Sequence, residues 1–250
     1  SIDNIGMLVA DTDVIREGIA RRLNVAKEHV TVVYTHTHSG PATAGDEALI
    51  VAYKTILTQQ AIATAVKASK AMQSVEIGWG VTNGKLGVNR REKRDGQAVM
   101  GTDPLGVTDD RIGTLLIRRT DDLHLVGAFV FCTAHPNVLK SDSVVLSNDY
   151  PGVARTILEQ ALGCPVVIVQ GATGNVNAKY RGDMESLMKM AFTLSGHVLT
   201  TVADVSYQPL THHRIQSIIH PMHLSKVPSV DVLQQMASYA EQTWGVSAAR

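Results

Sequence analysis

Residues 35–41 read THTHSGP, and they close an apolar run, His29-Val30-Thr31-Val32-Val33-Tyr34. The β-branched residues over 29–35 predict a buried strand, and Gly40-Pro41 marks its end. Two imidazoles, His36 and His38, therefore stand where a strand gives way to a turn. On extended backbone, side chains at i and i+2 point to the same side, so both rings can address one ligand.

The same pattern recurs twice further along the chain. Residues 123–132, after a Thr120-Asp121-Asp122 turn, predict a strand that ends in TAHPN, 133–137; residues 165–170 predict a short buried strand that ends in GATGNVN, 171–177. Strands are also expected at 75–81, 112–118 and 213–224. Helical spacing marks 11–23, with Asp11 or Thr12 as N-cap, then 45–72, 151–162, 184–205 and 230–244. Residues 82–108 are polar and rich in glycine and proline. They read as a loop carrying a solvated basic knot, NRREKR at 89–94, in which one Arg can bind a carbonyl or carboxylate.

Strands separated by helices define an α/β layered domain, with mixed sheets flanked by helices. Ligands gather at the carboxyl ends of strands in such sheets, so His36, His38, His135 and the 171–177 loop can converge if their strands are neighbours and run the same way. Residues 1–250 are expected to form a single catalytic domain, incomplete at both ends, because the chain begins at Ser1 with a strand-like IGMLVAD already under way.

Composition narrows the partners. Lys+Arg is 23 and Asp+Glu is 23, a balance that argues against nucleic acid and anionic membrane surfaces. Cys132 and Cys164, the only two cysteines, form no CxxC pair, which excludes a thiolate zinc site and a disulfide framework. No apolar run is read as a membrane span and no signal peptide is visible.

Imidazole is the commonest metal ligand, and two histidines from separate strand ends plus an oxygen donor suit a catalytic zinc. Such a zinc activates water. His36 and His135 are the candidates for ligands. His29, His124, His197, His212 and His213 read as ordinary surface or loop histidines. Gly171 and Gly174 let a backbone approach a ligand closely, and their N–H groups can serve as an oxyanion hole; Ser39 and Gly174 are the candidates for substrate and oxyanion contacts.

THTHSGPA resembles the signature of the neutral/alkaline non-lysosomal ceramidases, zinc amidases that cleave the N-acyl bond of ceramide. Collinear weaker motifs agree with it: Asn89-Arg90, Ala134-His135-Pro136, LSNDYPGVA at 146–154 and VIVQGATGNVNAK at 167–179. The resemblance covers roughly residues 1–225. It implies that His36 and His135 hold zinc, that His38 contacts the substrate amide or the reacting water, and that Arg90 lies in the active site. The family's further Glu and Tyr ligands lie beyond the point where this chain stops. One departure stands out. The family's catalytic serine position is Asn177 here. Asn offers no hydroxyl nucleophile but can donate to an oxyanion, so zinc-bound water is the expected nucleophile. Asp149, in the loop before a helix, is expected to lie close to the metal and support its ligands. The expectation is a zinc-dependent hydrolase of a small-molecule or lipid N-acyl amide. A zinc hydrolase of another amide or ester, and a scaffold that has lost turnover, are the alternatives.

Overall fold

The computed structural model describes residues 1–139, 143–211, 214–218, 220–221 and 228–244. Residues 1–214 form one compact unit and residues 215–250 a second. Within the first unit the main sheet has the order β6-β5-β4-β1-β8, with β1 Val75–Asn83, β4 Arg111–Arg119, β5 Leu125–Cys132, β6 Val166–Gln170 and β8 Tyr207–Pro209. Only β5 and β6 pair in parallel, with Cys132 opposite Gln170; the other pairs are antiparallel. The sheet is therefore mixed, as the alternation of strands and helices predicts.

Helices α3 (Asp149–Leu162) and α4 (Met184–Val202) cover one face of this sheet. Alternation does the sorting: Ile112 and Leu116 on β4, Ala128 and Val130 on β5, and Val166 and Ile168 on β6 turn to the helices. They meet Ala154 and Leu158 of α3 and Leu187, Met190, Leu194 and Val198 of α4, all buried. Each large apolar side chain buried in this way contributes about 1.5–3 kcal/mol.

Two other helices precede the sheet. Helix α1, Val9–Leu23, packs on α2, Ala48–Ser69, and Gly18 admits the end of Ile62 where a Cβ would collide with it. Helix α2 carries no fully buried residue, and it is long and apolar enough by composition to cross a membrane. The sequence reading missed that property.

Three expectations need correction. Residues 29–35 are not a strand of the main sheet: a short 3-10 turn, Lys27–His29, leads into an extended stretch that bridges only Ile2, at Tyr34. At their far end the hydrogen bonds run to the first residues of the chain: Ile2 N–H donates to Val33 O (2.9 Å), and Thr35 N–H to Ile2 O (3.0 Å). Residues 82–108 are not a loop. They hold the hairpin β2 (Gly87–Arg94) and β3 (Gln97–Asp103), turned at Asp95-Gly96 with positive φ at both positions, the turn that hairpin twist favours. The expected strand over 213–224 lies partly outside the described residues, and its described residues are not in a strand; His212 and His213 also lie outside them.

A second sheet, β3-β2-β7, adds β7 (Val176–Ala178) to the hairpin. β7 is also the seam between the two sheets, since Asn177 pairs with Val88 on one side and bridges His135 on the other. In the second unit, α5 spans Val230–Trp244 and exposes Val232, Leu233, Met236 and Tyr239.

Candidate metal centre

The loops after β5 and β6 lie side by side because their strands are parallel neighbours. Tyr150 braces both strand ends: fully buried, it donates its hydroxyl to Ala134 O (2.7 Å) and accepts from Gln170 Nε2 (3.0 Å). Residues 35–41 arrive from outside the sheet and are tied down individually. His38 N–H donates to Pro136 O (3.2 Å), and Thr37 Oγ1 donates to Ser147 O (2.7 Å). Asn4, wholly buried, donates its amide to Pro41 O (2.9 Å) and accepts from Gly6 N–H and Thr43 Oγ1, each at 3.3 Å.

His36 and His38 do turn toward each other, but not through strand alternation. His36 has φ +65°, a left-handed conformation that costs a non-glycine residue energy and persists only where its surroundings fix it. Here its N–H donates to Asn4 O (2.9 Å), and its Nδ1 lies 2.6 Å from Ile5 O. That kink swings the ring toward His135. His135 is buried, its N–H donates to Val176 O (3.1 Å), and its Nδ1 lies 3.1 Å from Thr173 O.

Both carbonyls assign the proton of their histidine to Nδ1, so each Nε2 presents a lone pair inward. This is the arrangement in which proteins orient metal-binding imidazoles. His38 Nε2 lies 2.9 Å from His135 Nε2. The ring centroids are 5.2 Å apart for His36–His38, 4.6 Å for His36–His135 and 4.8 Å for His38–His135. One nitrogen from each ring falls within 4.8 Å of the others. Tetrahedral zinc separates its nitrogen ligands by about 3.3 Å, so these three rings could hold a metal ion after a small inward adjustment.

Electrostatics keep His38 and His135 neutral, the form that ligates. Loss of hydration pushes His38 down to about 4, and the His135 and His36 rings and the Arg90 and Arg181 guanidiniums add to the effect. Burial lowers His135 as well, against the opposing bond to Thr173. Folded-state values held below the unfolded ones mean that the unfolded chain binds more protons across this window. The metal-free protein should therefore lose stability as pH falls from 6.5 toward about 4. Thermal melts should give a lower midpoint at pH 5 than at pH 7, with a smaller drop in His38→Gln; equal drops in both proteins would count against this assignment.

Arg90 reaches across from β2. Its Nε and Nη2 donate to Gly174 O (3.1 and 2.8 Å), and its Nη1 donates to Asn177 Oδ1 (3.4 Å). Asn137 Nδ2 also donates to that oxygen (3.1 Å). Two donors on Oδ1 turn the amide NH2 of Asn177 away from them. Gly174 thus engages through its carbonyl, and the Gly171 N–H is committed to Cys132 O (2.8 Å), so Gly171 is no oxyanion donor. Ser39 takes part through its backbone, its N–H donating to Thr37 Oγ1 (3.2 Å) and its O accepting from Ser147 N–H (3.0 Å).

Asp149 is buried at the start of α3 with φ +54°. Its carboxylate accepts from the N–H groups of Val138 (2.9 Å), Leu139 (3.2 Å) and Tyr150 (2.7 Å). It grips the backbone just after His135. Asn4, Asn137, Thr173 and Arg181 belong to this neighbourhood and were not singled out in the sequence. Thr173 acts through its carbonyl, which no side-chain pattern reports. The Asn-x-Gly turn at Asn4-Ile5-Gly6 was the available signal for Asn4.

This is a ceramidase-like α/β fold with three converging histidines. In comparison with solved structures, the chain is similar to the neutral ceramidase from Pseudomonas aeruginosa, with a TM-score of 0.57 and 14% identity over 77% of this chain and 35% of that one. It is also similar to a ceramidase complexed with C2, with a TM-score of 0.59 and 17% identity over 77% of this chain and 34% of that one. The chain thus spans about a third of the length of the structures it matches. No family model matches it, and no curated protein is significantly similar in sequence.

Proposed function

We propose that this chain is part of the catalytic region of a zinc-dependent amidohydrolase that cleaves an N-acyl amide. The observation that carries the reading is the pairing of His36 and His135, each with Nδ1 on a backbone carbonyl, which leaves its Nε2 for an ion, in a group of three histidines whose ligand atoms lie within 4.8 Å of one another. The ceramidase-like fold supports it.

His36 and His135 would hold the ion, with His38 beside them. Zinc, when bound, supplies a Lewis acid and makes a water acidic enough to react near neutral pH. This chain's own residues do the rest. Where the His135 lone pair is engaged by the ion, His38 Nε2 would be released from its 2.9 Å contact with that nitrogen, and the neutral ring would accept a proton and return it to the leaving amine. Arg90, steered by Asn177 Oδ1, donates to the amide oxygen as it gains charge. Ser39 and Gly174 border the acyl group. Asn177 has no hydroxyl to acylate, so no covalent acyl-enzyme forms at that position.

A second reading, hydrolysis of another amide or an ester, is kept by that same Asn177 in the serine position of the ceramidases. The zinc-loaded chain should be assayed on N-acylsphingosine, short N-acyl amines and matched esters. Amide cleavage that disappears in His135→Ala is the expected result. Ester cleavage alone selects the second reading, and full zinc occupancy with no turnover of any member sinks the enzyme reading.

A further inference from the structure

Among the described residues, positive charge gathers near the histidines. Arg90, Arg91 and Arg181 approach from two directions. Arg90 and Arg91 come from β2 and share Gly174 O, with Arg91 Nη2 at 3.5 Å. Arg181 comes from the loop after β7, where its Nε donates to Asn137 O (3.2 Å), two residues past His135. Between them lies the Asn137–Asn177 pair, which abuts His135 through the β7 bridge.

Every acceptor these guanidiniums use is a neutral oxygen. Among the described residues, none of the three forms an ion pair, whereas the arginines at 16, 94, 111, 118, 119 and 155 all do. Asp149, a carboxylate that feels the field of Arg181, is buried and occupied by backbone N–H groups. Their mutual repulsion is felt: Arg91 and Arg181, after loss of hydration, lower Arg90. Arg91 and Arg181 are exposed and Arg90 is half-buried, so their remaining N–H groups are open to a ligand. A planar fork of donors that forms no ion pair among the described residues is suited to a carboxylate or phosphate.

We propose that the substrate carries an oxyanion, a carboxylate or a phosphate, next to its scissile amide, and that Arg90 and Arg181 hold it. The substrate class is then an acidic N-acyl compound, such as an N-acyl amino acid or an N-acyl aminoalkyl phosphate, rather than a neutral N-acyl amino alcohol. The position of the scissile bond rests on the amidohydrolase reading; the preference for an anion rests on the arginines. Arg181 is the specificity residue, since Arg90 also serves the amide oxygen.

Calorimetry on the full chain, metal-free and zinc-loaded, tests this with N-hexanoylglycine, its neutral primary amide and N-hexanoylphosphoethanolamine. An anionic probe should bind about tenfold or more tighter than the amide, by an advantage that shrinks as salt rises. Arg181→Gln should remove most of that advantage, Arg181→Lys should keep part of it, and zinc content should stay unchanged in both. The stronger of the two anionic probes identifies the group. Equal affinity for anion and amide, no binding of either anion at millimolar concentration, or an advantage untouched in Arg181→Gln overturns the proposal. Binding is read without turnover, so a failed hydrolysis panel with the anion advantage intact removes the amidohydrolase reading alone.

Discussion

A His135→Ala chain is expected to bind zinc more than about a hundredfold more weakly than the parent, and His36→Ala should match it. Both residues offer Nε2 from a ring already oriented by a carbonyl, Thr173 O for one and Ile5 O for the other. Removing either leaves too few nitrogens to outcompete water for the ion. His38→Ala should cost less, because its Nε2 bond runs to His135 rather than orienting it. Zinc content after dialysis, followed by competition with a chromophoric chelator, measures all three, with circular dichroism confirming that each variant folds. Full occupancy in His36→Ala and His135→Ala would reduce 35–41 to a turn that happens to hold histidines, and the enzyme reading would go with it.

The order of these effects was partly legible in the sequence. β5 and β6 are apolar runs bounded by turn residues, and their pairing puts His135 and the 171–177 loop together as the strand-end argument requires. Residues 29–35 have the same local composition but no sheet to join, since their pairing partner is Ile2, more than thirty positions away in sequence. Local pattern cannot report such a partner. The left-handed kink at His36 is similarly invisible, because it is imposed by Asn4 and Ile5 across a loop. The β2–β3 hairpin is a different kind of miss. Asp95-Gly96 is a strong hairpin signal, and the density of charge around it made the segment look like a solvated loop. That error hid the strand that carries Arg90 to Asn177.

Asp149→Ala is expected to destabilise the fold by roughly 3–5 kcal/mol, visible as a large fall in the urea midpoint. The substitution orphans buried N–H groups at Val138, Leu139 and Tyr150, and alanine tolerates the left-handed backbone there poorly. Asp149→Asn should cost less, because Asn keeps one acceptor oxygen and accepts that conformation. Burial holds the Asp149 carboxyl above its ordinary value, against the three N–H bonds. The folded chain therefore binds this proton more readily than the unfolded chain, and the group's contribution to stability falls as pH rises through its folded-state value. The gap between the parent and Asp149→Asn should narrow over the same range. A helix cap alone would lower stability and leave zinc affinity per folded chain unchanged. Because Asp149 grips Val138 and Leu139, three and four residues past His135, zinc affinity should also fall in the folded fraction of Asp149→Ala. Unchanged affinity would confine Asp149 to α3 and leave the aim of His135 to Thr173 and Val176 alone.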